Sequence, residues 1–213
     1  AAFTRLRAFC AGALVEDISH YGRNFQLLRM TGSKQAAENM GVTIGLSTET
    51  FPSSGELVLS APLLCGTYYP GKCLPLKLCG QLVFELECTP TSTDFADAAW
   101  TLEAPEISCD IVEAPEIQEA LMKRVLSGSS IPISMNSFFS TMTSVSSDST
   151  VNISRSLSKL VRIFVSYVAA SGDSEVDIFR HPAAGYELQL RIGSRMVPEN
   201  ALKDDPTMFY FFL

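Results

Sequence analysis

The feature that most constrains the fold is a two-residue alternation of apolar and polar side chains in several short segments. In residues 81 to 88 every second side chain is apolar, and Glu85 and Glu87 fall between them. The pattern recurs in residues 161 to 168 and 186 to 192. Since successive side chains of a strand point to opposite faces, each segment predicts a half-buried β-strand. The predicted core of an antiparallel β-sandwich consists of Leu82, Phe84, Leu86, Val161, Ile163, Val165, Leu188, Leu190 and Ile192.

Other segments carry weaker strand signals. They are residues 3 to 18, with a turn at Gly12, and residues 42 to 46, 57 to 59 and 107 to 112. Residues 140 to 158 are rich in Ser and Thr, which is typical of either a flexible linker or a polar-faced strand or hairpin. We favour the strand, because Thr and Val suit pleated structure. Many short strands joined by turn-rich loops predict a mainly all-β chain of the jelly-roll sandwich type.

Two regions predict short helices in the loops between strands. Residues 24 to 40 carry some apolar side chains at helical spacing and indicate two short helices at most, with Ser33 able to cap the second. Residues 115 to 126 are the clearest helix, because Pro115 suits a first turn and Gly128 can end it. The face predicted to pack on the sandwich consists of Ile117, Leu121 and Val125. On the opposite face, Glu119 and Lys123 are predicted to face solvent or a neighbour.

Composition narrows the class of protein. The chain has 213 residues and a formal net charge of -7. A nucleic-acid-binding domain normally carries a basic excess, so we expect no direct contact with nucleic acid. No apolar run is long enough for a transmembrane helix, and the first residues lack the pattern of a secretory signal. Because the sequence does not begin with Met, we interpret it as a processed or excerpted part of a longer protein.

Six cysteines and two histidines restrict the metal and redox chemistry. No pair of cysteines has C-x-x-C spacing, and the histidines, His20 and His181, are far apart in the sequence, so a zinc site is disfavoured. The number of cysteines would permit a disulfide framework, but a chain of this length can bury its own core without one. We therefore expect free, buried thiols in a reducing compartment.

Candidate catalytic groups are few. Glu16, Asp17 and His20 could form a metal-binding or basic cluster, although such residues more often lie in a solvated turn. Ser174 and His181 could belong to a hydrolase triad, but the G-x-S-x-G motif and the glycine-rich phosphate loops are absent. We predict no catalytic residue, no cofactor and no metal. The aromatic groups expected in the core or at subunit contacts, rather than in a ligand platform, are at residues 68 to 69, 138 to 139 and 209 to 212.

Six segments follow one another in the order of the motifs of one protein family. They are residues 7 to 23 with a G-x-x-x-E-D-I and Y-x-R stretch, 63 to 76 with K-x-L-P-L, 82 to 86, 126 to 133, 156 to 164, and 189 to 199 with Gly193-Ser194-Arg195 and Pro198-Glu199. They resemble the double-jelly-roll major capsid proteins of polinton-like viruses, virophages and related large DNA viruses. Lys77 stands where an Arg is common, and residues 200 to 213 depart from the usual continuation.

The resemblance implies a structural role. It implies one jelly roll with its lead-in segment, from a longer capsid subunit that forms homotrimers, contacts other capsid proteins and tiles the icosahedral shell of a virion. The gene could also be a viral copy integrated in a host genome. The implied domains are a lead-in with short helices at residues 1 to 50, the jelly roll at 51 to 199 and a divergent or truncated tail at 200 to 213. No catalytic residue is carried over. The alternatives are a stand-alone β-sandwich module that binds carbohydrates or receptors and, with the least support, an enzyme.

Overall fold

A computed structural model of the chain describes residues 3–30, 33, 35, 60–68, 73–88, 101–145, 150–155, 159–166 and 187–203. The regular structure of these residues is mainly β, with antiparallel sheets and few helices, as the sequence predicts. The chain divides into two units, Ala1–Leu160 and Val161–Leu213, each of which has its own antiparallel sheet.

The first unit contains a three-stranded sheet in the order β2-β1-β3. Its strands are β1 (Phe3–Cys10), β2 (Ala13–Ser19) and β3 (Leu82–Cys88). Ala11 and Gly12, with φ angles of 49° and 80°, join β1 to β2, and paired positive φ values suit a tight hairpin turn. The turn predicted at Gly12 is therefore confirmed. β3 comes from far along the chain and pairs antiparallel with the other edge of β1.

The core of the first unit lies on one face of this sheet. Leu6 and Ala8 point to that face from β1, and the register places Leu6 opposite Ile18 of β2 and Leu86 of β3. Of the predicted core residues in β3, Phe84 packs against the buried cluster, whereas Leu86 is exposed because it lies nearer the end of an edge strand. The buried residues are Leu6, Ala8, Ile18, Tyr21 and Cys65, and Phe3, Leu63, Leu64, Phe84 and Phe138 pack against them.

The opposite face of the sheet carries cross-strand ion pairs. Arg5 donates two hydrogen bonds to the Asp17 carboxylate, of 2.7 and 2.6 Å. On the other side of β1, the Arg7 guanidinium lies 3.0 Å from a carboxylate oxygen of Glu85. Opposite charges on neighbouring strands favour this pairing. The alternation predicted for Glu85 against its apolar neighbours is thus confirmed.

Short helical segments connect these strands. Helix α1 (Tyr21–Met30) follows β2 through His20, which has a φ of 52°, and the Asn24 side-chain amide donates to the Ser19 carbonyl at 2.9 Å. A 3-10 turn (Gly66–Tyr68) and helix α2 (Leu76–Cys79) precede β3. Helix α1 confirms the first of the two helices predicted in residues 24 to 40. The second falls almost wholly outside the described residues.

Helix α3 (Pro115–Leu126) confirms the clearest helical prediction, with Pro115 in its first turn. The Glu119 and Lys123 side chains are exposed, as predicted for the face opposite the apolar one, and they form an ion pair of 2.9 Å. The predicted packing of its apolar face is wrong: Ile117 is 63% exposed, and no residue of the helix is buried. The four-residue spacing is a local property, whereas a covering surface must come from elsewhere. No helix in the described residues is long and apolar enough to cross a membrane.

The second unit contains a two-stranded antiparallel sheet formed by β4 (Glu187–Ile192) and β5 (Arg195–Lys203). Gly193, with a φ of 63°, lies in the turn between them. Leu188 and Leu190 are partly buried and alternate with exposed neighbours, which confirms the predicted pattern. Ile192, the third predicted core residue of this strand, is 46% exposed beside the turn.

Several predicted strands are absent from the described residues. Residues 161–166 form no regular structure, and Val161, Ile163 and Val165 are exposed rather than in a core. Residues 107–112, 140–145 and 150–155 also lack strand pairing. Alternation alone does not make a strand, because the backbone needs a neighbouring strand for its hydrogen bonds. The alternations at residues 42 to 46 and 57 to 59 lie outside the described residues.

Candidate functional site

The most distinctive site is a buried carboxylate beside the first sheet. Glu16 shares the core-facing side of β2 with Ile18, and only 2% of its surface is exposed. A charged side chain is costly to bury unless its oxygens receive hydrogen bonds. The residues that supply or surround these bonds define the Glu16 cluster: Glu16, Tyr21, Cys65, Gly66 and Thr67.

One oxygen of the carboxylate holds the segment of residues 60–68. Glu16 Oε2 accepts hydrogen bonds from the Gly66 amide at 2.8 Å and from the Cys65 thiol at 2.9 Å. The Thr67 hydroxyl lies 2.7 Å from Cys65 Sγ, and it must be the donor there because the single thiol proton points to Glu16. The other oxygen, Glu16 Oε1, is buried and accepts no hydrogen bond within the described residues.

Two further contacts bring the same segment against the core. The Leu64 amide donates to the Tyr21 hydroxyl at 2.9 Å. Gly66 faces the backbone of Asn136, and a Cβ atom at position 66 would lie 2.4 Å from the Asn136 carbonyl oxygen. Only glycine fits this approach without displacement of the backbone. The Glu16 cluster thus joins β2, the start of α1, the 3-10 turn and the residue 136 region.

The electrostatics of the Glu16 cluster suit a structural contact better than a reactive thiol. Burial, assisted by the hydrogen bond to Glu16, raises the pKa of the Cys65 thiol to about 11. Burial likewise raises the pKa of Tyr21. Reactive cysteines are thiolates in electropositive, accessible surroundings, and Cys65 has the reverse environment. The protonated thiol is the form that donates a hydrogen bond to the Glu16 carboxylate, so Cys65 serves here to hold two segments together.

Cys65 should therefore react slowly with iodoacetamide at pH 8. A pKa of about 11 instead of 9.0 leaves about a hundredth of the thiolate, so the rate should fall about 100-fold below that of an unperturbed thiol. Mass spectrometry of a timed alkylation measures the rate at each cysteine. The exposed Cys73 and Cys109 serve as internal controls, and unfolding in urea should equalise all three. Equal rates in the folded chain would contradict the buried site.

The candidate cluster of Glu16, Asp17 and His20, which the sequence disfavours, is not formed. Glu16 and Asp17 are adjacent in β2 and so point to opposite faces of the sheet, where Asp17 pairs with Arg5. His20 occupies the exposed turn after β2, and desolvation, followed by the charge of Arg23, lowers its pKa. The described residues hold no group of three or more potential metal ligands. Ser174 and His181 lie outside them.

The Arg5–Asp17 pair should make the free energy of unfolding depend on pH. The hydrogen bond from Arg5 holds the pKa of Asp17 below its ordinary 3.8. A carboxyl group whose pKa is depressed by folding contributes stability above its unfolded pKa and loses it as the pH falls through the folded pKa. The free energy of unfolding, measured with urea, should therefore fall more between about pH 5 and about pH 2 for the wild type than for Asp17→Asn. Equal losses would contradict the assignment.

The prediction that the cysteines are buried is wrong for five of the six. All six cysteines are free, but only Cys65 is buried. Cys10 and Cys79 are intermediate, and Cys73, Cys88 and Cys109 are exposed. Burial of a small thiol depends on which segments pack over it, and residue counts and spacing contain no such information.

The aromatic pair Phe138 and Phe139 divides between two environments. Phe138 packs against the core of the first unit, as expected. Phe139 is half exposed, and the Arg155 guanidinium lies over its ring, 4.7 Å from the centroid. This distance suits a cation–π contact on the surface. The other predicted aromatic groups, the side chains at positions 68 and 69 and the residues from 209 to 212, lie outside the described part of the chain.

Sequence reasoning missed the role of Glu16, although one signal for it existed. Glu16 lies two residues before Ile18, so strand alternation places both on one face. A carboxylate on the apolar face of a strand predicts a buried partner.

No protein-family model matches the chain, and no curated protein or solved structure shows significant similarity to it.

Proposed function

We propose that the chain is a structural part of a viral major capsid protein of the double-jelly-roll class. It would belong to the jelly roll and lead-in of a longer subunit, which assembles as a homotrimer with neighbouring capsid proteins in the shell of the virion. The proposal includes no enzymatic activity, cofactor or nucleic-acid contact.

The observation that carries the proposal is the contact between segments that resemble the capsid family. Glu16 and Tyr21 belong to the first such segment, and both bond to residues 64–66 of the second. β1, which overlaps the first segment, also pairs with β3, which contains the third. These segments follow the order of the family's motifs, and they also bond to one another. Together the two facts support one folded unit better than six separate resemblances would.

The exposed surface of the first sheet is compatible with assembly. β2 and β3 are its edge strands, and Leu14 of β2 is 53% exposed while Val83 and Leu86 of β3 are also exposed. Uncovered edges and apolar side chains commonly mark surfaces that pair with a neighbour. Contacts between capsid subunits need shape and area rather than reactive groups.

Sedimentation of two proteins, the chain itself and the longer subunit encoded by the surrounding reading frame, tests the proposal. The chain alone should self-associate or precipitate despite its net charge of -7, because the surfaces of its neighbours are missing and its sequence ends in the apolar run Met208-Phe209-Tyr210-Phe211-Phe212-Leu213. The longer subunit should sediment as a trimer. If both are monomeric at high concentration, the capsid proposal is wrong, and binding to a glycan array would then support a stand-alone module.

The absence of enzymatic activity requires a separate test. The purified chain is assayed for esterase, glycosidase and phosphatase turnover, with Ser174→Ala and His181→Ala as controls. No turnover above the buffer rate is expected. Turnover that either substitution abolishes would overturn the structural role and favour a hydrolase.

A further inference from the structure

Two half-buried cysteines meet where the first hairpin contacts helix α2. Cys10 is the last residue of β1, and Cys79 is the last residue of α2. Although they are 69 positions apart in the sequence, Cys10 Sγ donates a hydrogen bond to the Cys79 carbonyl oxygen at 2.9 Å. The Ala11 amide also donates to the Gln81 carbonyl oxygen at 2.9 Å, so the two backbones run side by side here.

The two thiol groups are also neighbours. Burial raises the pKa of the Cys79 thiol, and the neighbouring Cys10 side chain raises it further. Both thiols are free and only partly buried, so a small reagent can reach them. The pairing of Cys10 with Leu82 in the β1–β3 register keeps this end of β1 close to the residues that follow α2.

Cys88 and Cys65 are not placed to compete with Cys79 for Cys10. Cys88 lies at the opposite end of β3, where the register pairs it with Phe3, which puts it roughly 20 Å along the strands from Cys10. Cys65 lies in the buried Glu16 cluster, where its thiol donates a hydrogen bond to the Glu16 carboxylate. Their placement therefore favours Cys79 over Cys65 and Cys88 as the partner of Cys10.

We propose that Cys10 and Cys79 are a redox-sensitive pair that forms an intramolecular disulfide with a small disulfide oxidant such as oxidised glutathione. One thiolate attacks the oxidant, forms a mixed disulfide and releases one thiol; the second thiolate then attacks the mixed disulfide and releases the other. The two cysteines lose two protons and two electrons, and the oxidant is reduced to two thiols. The new S–S bond joins the β1–β2 hairpin to α2 independently of whether the chain belongs to a capsid.

Peptide mapping after treatment of the folded chain with oxidised glutathione tests the proposal. Trypsin alone leaves Cys79, Cys88 and Cys109 in one peptide, because no Lys or Arg occurs from residue 78 to residue 122. A second protease that cleaves after Glu separates them, giving residues 8 to 16 with Cys10 and residues 78 to 85 with Cys79. We expect these two peptides to be linked and to separate on reduction. They should remain unlinked when the chain is first unfolded in urea and then treated at low protein concentration.

Matched variants identify the pair and show its effect. Cys10→Ser and Cys79→Ser should each abolish the linked peptide, whereas Cys88→Ser should retain it; circular dichroism confirms that each variant is folded. The oxidised wild type should melt roughly 5 °C or more above the reduced form, because the link closes a long loop in the unfolded chain. The proposal is overturned if folded protein yields only glutathione adducts at Cys73, Cys88 and Cys109, or if Cys10 links to another cysteine.

Discussion

Gly66→Ala should lower the free energy of unfolding by about 3 kcal/mol or more. The new Cβ would lie 2.4 Å from the Asn136 carbonyl oxygen, which is far inside van der Waals contact. Because the obstacle is backbone and not the end of a flexible side chain, the residue 60–68 segment must move. That movement would also pull the Gly66 amide from Glu16, which accepts its hydrogen bond at 2.8 Å. Urea unfolding monitored by circular dichroism measures the loss.

Gly128→Ala is the matched control for this clash. Gly128 follows helix α3 with a φ of 80°, and an added Cβ there would meet no atom within 4 Å. Its cost should be only about 1 kcal/mol, from the left-handed backbone conformation. If the two variants lose the same stability, the close approach to Asn136 does not constrain position 66.

Glu16→Ala should cost a similar amount, about 3 kcal/mol. The substitution leaves the buried Gly66 amide and the Cys65 thiol without the acceptor that both share. An unsatisfied buried donor costs more than the net value of the bond it lost, and bonds to charged acceptors are the stronger ones. Glu16→Gln keeps a carbonyl oxygen of similar reach, so it should lose about half as much. The same urea experiment measures all three proteins.

Glu87→Ala controls for the loss of a glutamate from a strand. Glu87 is exposed on β3, in the same sheet, so its removal should cost about 0.5 kcal/mol or less. Equal effects at positions 16 and 87 would mean that the carboxylate does not hold the segment. The double variant Glu16→Ala with Gly66→Ala should lose clearly less than the sum of the two single losses, because both substitutions disrupt one contact.

The elements that the sequence predicts well are those whose signals are local. β3 and β4 follow from two-residue alternation, and α3 follows from four-residue spacing with Pro115 at its start. The turn at Gly12 follows from the tolerance of glycine for a positive φ. In each case the necessary information lies within about ten consecutive residues, so no knowledge of the partner is needed.

The elements that the sequence predicts wrongly depend on a partner. Residues 161–166 alternate as regularly as β3, yet they form no regular structure, because no strand among the described residues pairs with them. Ile117 shares a helical face with other apolar residues, yet it is 63% exposed, because no described residue buries that face. A repeating pattern defines which face can be buried, and only the rest of the fold determines whether it is.

By itself, then, the sequence determined a mainly β chain with local turns and one clear amphipathic helix, because hydrogen-bond geometry imposes those periods on any chain. The tertiary structure alone decided that β1 is the central strand, flanked by its hairpin partner and by β3. It also decided that Glu16 is buried against residues 65 and 66, and that Cys10 meets Cys79 across 69 positions. Such contacts depend on how distant segments exclude water together, and this is a property of the packed chain that no single segment contains.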